Sequence, residues 1–288
     1  MGRFASKFFC VPLLLTGWPA AHAAFAADVG NNTVDAASII KKSVAVNNAD
    51  WKAQILYGHR ELDVKAKLDS DGSALGQQSK TYEVMMIEGS PYERLVGVDN
   101  ESLSPDLAQQ ERLKLSHETE RRQAESMGDR QARIAKYRTR RAEEQMLMQQ
   151  MVNAFNFRYL GEEQLDGIPC YRLAATPNPN YTPPVEKARV LTGMEGELWI
   201  SKESYHWVRV RAEVTKPVEF GLFVAKVKPG TSFELDQQRV GDVWLPKRFT
   251  QSVNASIFGL YGYRTKEETD FSAYHENTLH ASADPRGN

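Results

Sequence analysis

Cysteine is nearly absent from this chain. Of the two in 288 residues, Cys10 falls in an N-terminal apolar run, which leaves Cys170 without an intramolecular partner and excludes a disulfide-stapled fold. Histidine is sparse and scattered. No His-x-x-x-His, Cys-x-x-Cys or cysteine cluster occurs, so the short spacings that announce a zinc site are missing and no metal or other cofactor is expected. A Gly-x-Ser-x-Gly elbow and a phosphate-binding glycine loop are missing too. Neither sign of charge dominates: 36 Lys and Arg against 37 Asp and Glu give −1, which offers no bulk attraction to nucleic acid. Apolar runs are short, and none approaches the roughly 20 residues of a membrane helix. Cys170, between Pro169 and Tyr171, reads as a small buried hydrophobe, since nothing nearby selects a base to activate it. Paired carboxylates such as Glu162-Glu163 and Glu267-Glu268 point to opposite faces of a strand and do not make an acid–base pair. A non-enzymatic binding protein is the expectation.

What the N-terminus does contain is an address. Arg3 and Lys7 precede the apolar residues 8–15, and Ala21-His22-Ala23 or Ala24-Phe25-Ala26 supplies a small-x-small cleavage pattern. Residues 1–26 therefore read as a cleaved secretory signal, with an uncleaved interfacial anchor as the alternative. Loss of Arg3 and Lys7 takes the formal charge from −1 to −3. Lys7-Phe8-Phe9 before Cys10 is not a lipoprotein signal, so the mature chain is expected to be soluble and unlipidated.

Period-two alternation dominates the remainder. It is clearest over residues 195–214 (EGELWISKESYHWVRVRAEV), where Leu198 and Ile200, then Val208, Val210, Ala212 and Val214, alternate with polar neighbours around a polar turn at 202–205. This predicts an antiparallel hairpin with one apolar and one charged face. A short amphipathic helix is predicted over 35–46, and strands follow from Trp51 onward, over 82–88 and over 92–98. Phe157 opens another strand. Asp166-Gly167 is a strong hairpin signal, 177–184 (PNPNYTPP) reads as a surface loop, and strands recur from 217 to 271, for about ten in all. Residues 278–288 are polar and expected to be disordered.

One segment breaks the pattern. Residues 104–150 have few turn formers, and between Glu111 and Glu144 carry ten Lys/Arg and seven Asp/Glu, which predicts helix in two pieces broken near Met127-Gly128. Two readings stand: a solvated helical excursion, or a basic arm for anionic lipid or a membrane protein. At its end Leu147, Met148, Met151, Val152 and Phe155 share one apolar helical face, either packed on the sheet or serving as a lid over an apolar cavity. Phe220-Gly221-Leu222-Phe223 supplies a further apolar patch, at a sheet edge or a cavity rim.

Local antiparallel connections, with helices that interrupt rather than alternate with strands, predict an α+β, mainly antiparallel fold: a curved, unclosed β-barrel covered by helices. Tyr159-Leu160-Gly161, Asp166-Gly167-Ile168-Pro169-Cys170-Tyr171, Gly196-Glu197-Leu198-Trp199-Ile200 and Val243-Trp244-Leu245-Pro246, behind a signal and an early helix, resemble the outer-membrane lipoprotein-sorting protein family, the LolA/LolB-like superfamily. The resemblance implies a single half-barrel domain over 27–277, with a helical insertion at about 104–156 that is long for a simple carrier. It further implies a periplasmic location and a concave apolar face that receives lipoprotein acyl chains or another lipid, loaded from an inner-membrane exporter and passed to an outer-membrane acceptor. Leu147, Met148, Met151, Val152, Phe155, Phe220, Phe223 and Phe258 are the expected cavity and lid residues. The alternative is a lipid-sensing or scaffold protein of the envelope that binds a protein partner through the charged insertion.

Overall fold

The structure is a computed structural model and describes residues 14–15, 35–222, 225–257 and 261–277. Thus Phe223, Phe258, most of the signal segment and the 278–288 tail lie outside the described residues. The first element, β1 (Leu14–Leu15), pairs in parallel with Gly221 and Leu222 of β10 (Val218–Leu222).

Asp35 opens α1 (Ala36–Ala53) by accepting a hydrogen bond from the Ala37 amide, the usual service of an N-cap carboxylate. The helix does not stop at 46. It continues through Trp51 to Ala53 and closes in a 3₁₀ turn at Gln54–Leu56, so the predicted strand start at Trp51 is displaced to Tyr57. A meander follows: β2 (Tyr57–Leu68), β3 (Ala74–Ile87), β4 (Ser90–Val98) and the short β5 (Glu101–Ser102). Between β3 and β4, Glu88 and Gly89 both take positive φ, 47° and 81°, the tight hairpin geometry that favours glycine second. At Gly89 a side chain would also meet Ile134 Cδ1 at 2.9 Å.

Two helices then interrupt the sheet, α2 (Pro105–Gln123) and α3 (Met127–Ala154), each capped by a serine hydroxyl, Ser104 and Ser126. The sheet resumes with no linker at β6 (Phe155–Leu165) and returns through β7 (Ile168–Pro177) around Asp166-Gly167. A half-buried 3₁₀ segment (Glu186–Gly193) precedes β8 (Met194–Ser201) and β9 (Trp207–Val214). The chain finishes with β10, β11 (Ala225–Val227), β12 (Ser232–Val240), β13 (Val243–Ile257) and β14 (Tyr261–Glu276).

The order β5-β4-β3-β2-β14-β13-β12-β9-β8-β7-β6, antiparallel throughout, makes one large curved sheet, with β11 and then β10 branching from β13. Edge strands β5 and β6 do not pair with each other, so the barrel is unclosed, and α2 and α3 are the segment of chain that leads from one edge to the other. The fold is α+β and mainly antiparallel, an unclosed half-barrel.

The predicted 195–214 hairpin is present with one change of register. Trp199 faces Arg209 while Ile200 faces Trp207, so Val208 is the extra residue of a β-bulge. Trp207 and Val210 consequently join the main core with Leu198 and Ile200, whereas Val208 turns to the other face. That face is not simply charged either. Trp199 is 4% exposed there, in a small cluster with Cys170, Val208 and Trp244, and the guanidinium groups of Arg172 and Arg211 stand 5.3 and 5.5 Å from its ring centre.

Candidate binding cavity

The apolar stripe of α3 recurs every third or fourth residue, and Leu147, Met148 and Met151 all reach the concave side of the sheet. Beneath them Trp207 and Val210 of β9, Phe233 and Leu235 of β12, and Trp244, Leu245 and Pro246 of β13 form a floor. Leu191 of the 3₁₀ segment closes one side, and α1 closes the other with Asn47, Asp50 and Trp51, followed by Gln54. These residues enclose a cavity of about 130 Å³. Two helices roof it and three strands floor it.

The roof is fastened at defined points. Trp207 donates its indole N–H to the fully buried Ser43 hydroxyl at 3.2 Å, and Ser43 in turn donates to Ile40 O at 3.0 Å, which fixes α1 to the floor. His206 Nε2 approaches Asp50 Oδ2 to 3.1 Å, within ion-pair distance but outside hydrogen-bond alignment, and its ring stacks on Trp244 with centroids 5.5 Å apart. Arg141 joins the two roof helices by donating to Trp51 O and lying 4.2 Å over the Trp51 ring. Lys187 of the 3₁₀ segment pairs with Glu143 of α3 at 2.5 Å.

Glu144, at the start of the apolar stripe, is the cavity's perturbed acid. Burial pushes its carboxyl up to about 7, against the opposing pull of Arg141 and Arg140. Cys170, by contrast, is inert. Burial raises its thiol to about 11, and it donates to Ile168 O at 3.3 Å. Among the described residues, no three His, Cys, Asp or Glu side chains gather as a metal site, and no helix is long and apolar enough to cross a membrane.

The far end of α3 is differently placed. Arg122, 6% exposed, donates to Ile87 O at 2.9 Å, Ser90 O at 2.8 Å and Pro91 O at 3.3 Å, and pairs with Glu118 at 2.6 Å. Arg133 donates to Ser90 Oγ at 2.6 Å and Glu88 O at 3.0 Å and pairs with Glu125 at 2.7 Å. Hydrogen bonds from Arg121, then Arg122, hold Glu118 down at about 2. Much of the basic charge of the insertion is thus spent on the β3–β4 turn and on carboxylates of the same helices.

Of the residues expected from the sequence, Leu147, Met148 and Met151 line the cavity. Phe155 and Phe220, 7% and 2% exposed, are buried in the adjoining core rather than at the cavity wall, and Val152 points outward at 39% exposed. The α1 side of the cavity and its acid, Glu144, had no apolar period to announce them.

No family model and no curated protein matches the sequence. Among solved structures the chain is similar to an outer membrane lipoprotein-sorting protein domain from Vibrio parahaemolyticus (10% identity, 83% of this chain, 94% of that one, TM-score 0.34). It is also similar to a LolA superfamily protein from Nitrosomonas europaea (12% identity, 86% and 96% covered, TM-score 0.34) and to the MucA/MucB complex of Pseudomonas aeruginosa (10% identity, 85% and 99% covered, TM-score 0.23).

Proposed function

We propose that this chain is a non-enzymatic periplasmic carrier that takes the acyl chain of a lipoprotein, or another lipid, between its roof helices and its sheet. The observation that carries this reading is the apolar cavity under Leu147, Met148 and Met151, floored by aromatic and aliphatic side chains of three adjacent strands. Methionine suits such a wall, because an unbranched thioether chain follows an irregular apolar ligand with little penalty. At about 130 Å³ the cavity is smaller than the roughly 300 Å³ at which ligand pockets begin, so loading requires the roof to lift. His206 on Asp50 and the Trp207 bond to Ser43 tie α1 to the floor, and a lift of that helix has to break them.

Native mass spectrometry of the mature protein purified from the cell envelope, with extraction of any bound mass, tests the proposal. A co-purifying acylated species that disappears in Met151→Asp supports it. A clean apo mass, in a protein that also refuses a fluorescent fatty acid, overturns it and moves attention to a protein partner on the exposed faces of α2 and α3.

A further inference from the structure

The wall of the cavity is uneven. Most of it is carbon, but α1 presents Asn47, Asp50 and Gln54 at i, i+3 and i+7, and α3 adds Glu144 at the end of its apolar stripe. Asn47 and Asp50 are only 3% and 7% exposed. Asn47 has its amide orientation fixed, since Nδ2 donates to Ser43 O at 2.8 Å and Oδ1 is left to accept. That Oδ1, Asp50 Oδ2 and Glu144 Oε1 are buried with no hydrogen-bond donor aligned to them, and so is Gln237 Oε1 across the cavity. Buried acceptors without donors are costly and uncommon, and here they gather around one space.

The geometry points to a head-group site at this end of the cavity: the preferred ligand is an amphiphile with a primary ammonium head, held by Asn47, Asp50 and Glu144, and an apolar chain laid along Met148, Met151 and Trp244. The inference rests on the carrier reading and deepens it. An ammonium has three N–H donors and no lone pair, so it can serve three acceptors at once while compensating carboxylate charge. A carboxylate or phosphate head would bring further acceptors and like charge to the same oxygens. The charged groups around the site are mixed. Arg140, Arg141 and Glu143 flank Glu144 on α3, Lys187 faces it from the 3₁₀ segment, and His206 faces Asp50 from the β8–β9 turn. Glu144 gains its charge as pH rises through about 7, whereas an alkylammonium, like lysine, keeps its proton to about 10. Amine binding therefore tightens across that interval.

The cavity contains its own reporter, because Trp51, Trp207 and Trp244 line it. The test titrates the full mature chain with dodecylamine, dodecanol and laurate, each below its micelle concentration, and reads tryptophan emission at about pH 6 and about pH 8. The expected result at the higher pH is dodecylamine binding about tenfold or more tighter than laurate, as for a charged hydrogen bond gained. The margin narrows at the lower pH, and the double substitution D50N/E144Q removes the preference of the amine over laurate. Three ligands of equal affinity, or tighter laurate, overturn the head-group site and leave the carrier reading standing. Failure of all three to bind overturns both. The comparison of ligands on the unaltered protein decides the matter even where the double variant folds poorly.

Discussion

The two ends of α3 face the same sheet in opposite ways. At its start, Arg122 from α2 and Arg133 meet a tight turn in which the carbonyls of Glu88 and Ser90, and the Ser90 hydroxyl, each find a guanidinium donor. At its other end, Leu147, Met148 and Met151 meet apolar space, and Asn47 Oδ1, Asp50 Oδ2, Glu144 Oε1 and Gln237 Oε1, which share that space, have no aligned donor. Polar satisfaction makes the first end an anchor, since moving it would strand buried charge. The second end is held instead by apolar packing and by Arg141 on Trp51 and Lys187 on Glu143. A 28-residue helix, about 42 Å long, is therefore held by buried charge at one end and by apolar packing at the other.

The contrast can be broken most severely at the anchor. Arg122→Ala takes the guanidinium donor away from three carbonyls, leaves Glu118 to Arg121 alone, and is expected to cost about 3 kcal/mol in urea unfolding, with amide exchange across 105–140 rising before the rest of the chain. A loss below about 1 kcal/mol would show that the turn holds without it. Met151→Asp attacks the other end, placing a carboxylate in the apolar wall. It should weaken uptake of a lipid probe tenfold or more, as expected from a buried polar group costing about 2 kcal/mol, whereas Val152→Asp on the exposed side leaves uptake unchanged. Glu144→Gln sharpens the comparison through pH. With its carboxyl at about 7 in the folded chain and about 4.3 when unfolded, the folded state holds the extra proton, so stability falls as pH rises across that window and is lowest above it. The glutamine variant should show a flatter profile and a higher melting temperature than the parent at about pH 8, and an unchanged slope would contradict the burial of Glu144. The smallest effect belongs to Trp207→Phe, which removes the bond to Ser43 and should cost about 1 kcal/mol by thermal melting.

Much of this was legible in the sequence because it is local. Asp166-Gly167 and Glu88-Gly89 mark hairpins by turn chemistry alone, and the alternating runs identify most strands. Leu147, Met148 and Met151 reach the cavity because they share one side of α3, on which Glu144 also falls. At 100° per residue Val152 lies about 140° around the helix from Leu147, at the margin of that face, which explains its exposure. The α1 half of the site was hidden for a related reason. Its inward stripe after Val46 is Asn47, Asp50 and Gln54, and polar residues on a helix read as its end or its solvent side until a cavity is seen beneath them. The bulge at Val208 was invisible because a single extra residue leaves composition and alternation almost intact while exchanging the faces on either side of it.

One consequence of the topology is mechanical. The sheet is a bow whose tips are β5 and β6, and α2 with α3 is a string tied to both, directly at β6 and through the short 103–104 link at β5. Because α2 and α3, with their corner at 124–126, join both tips, a change in the gape of the sheet is linked through the chain to the placement of the roof. A spectroscopic ruler set between the two tips would then register loading from outside, without a label anywhere near the cargo.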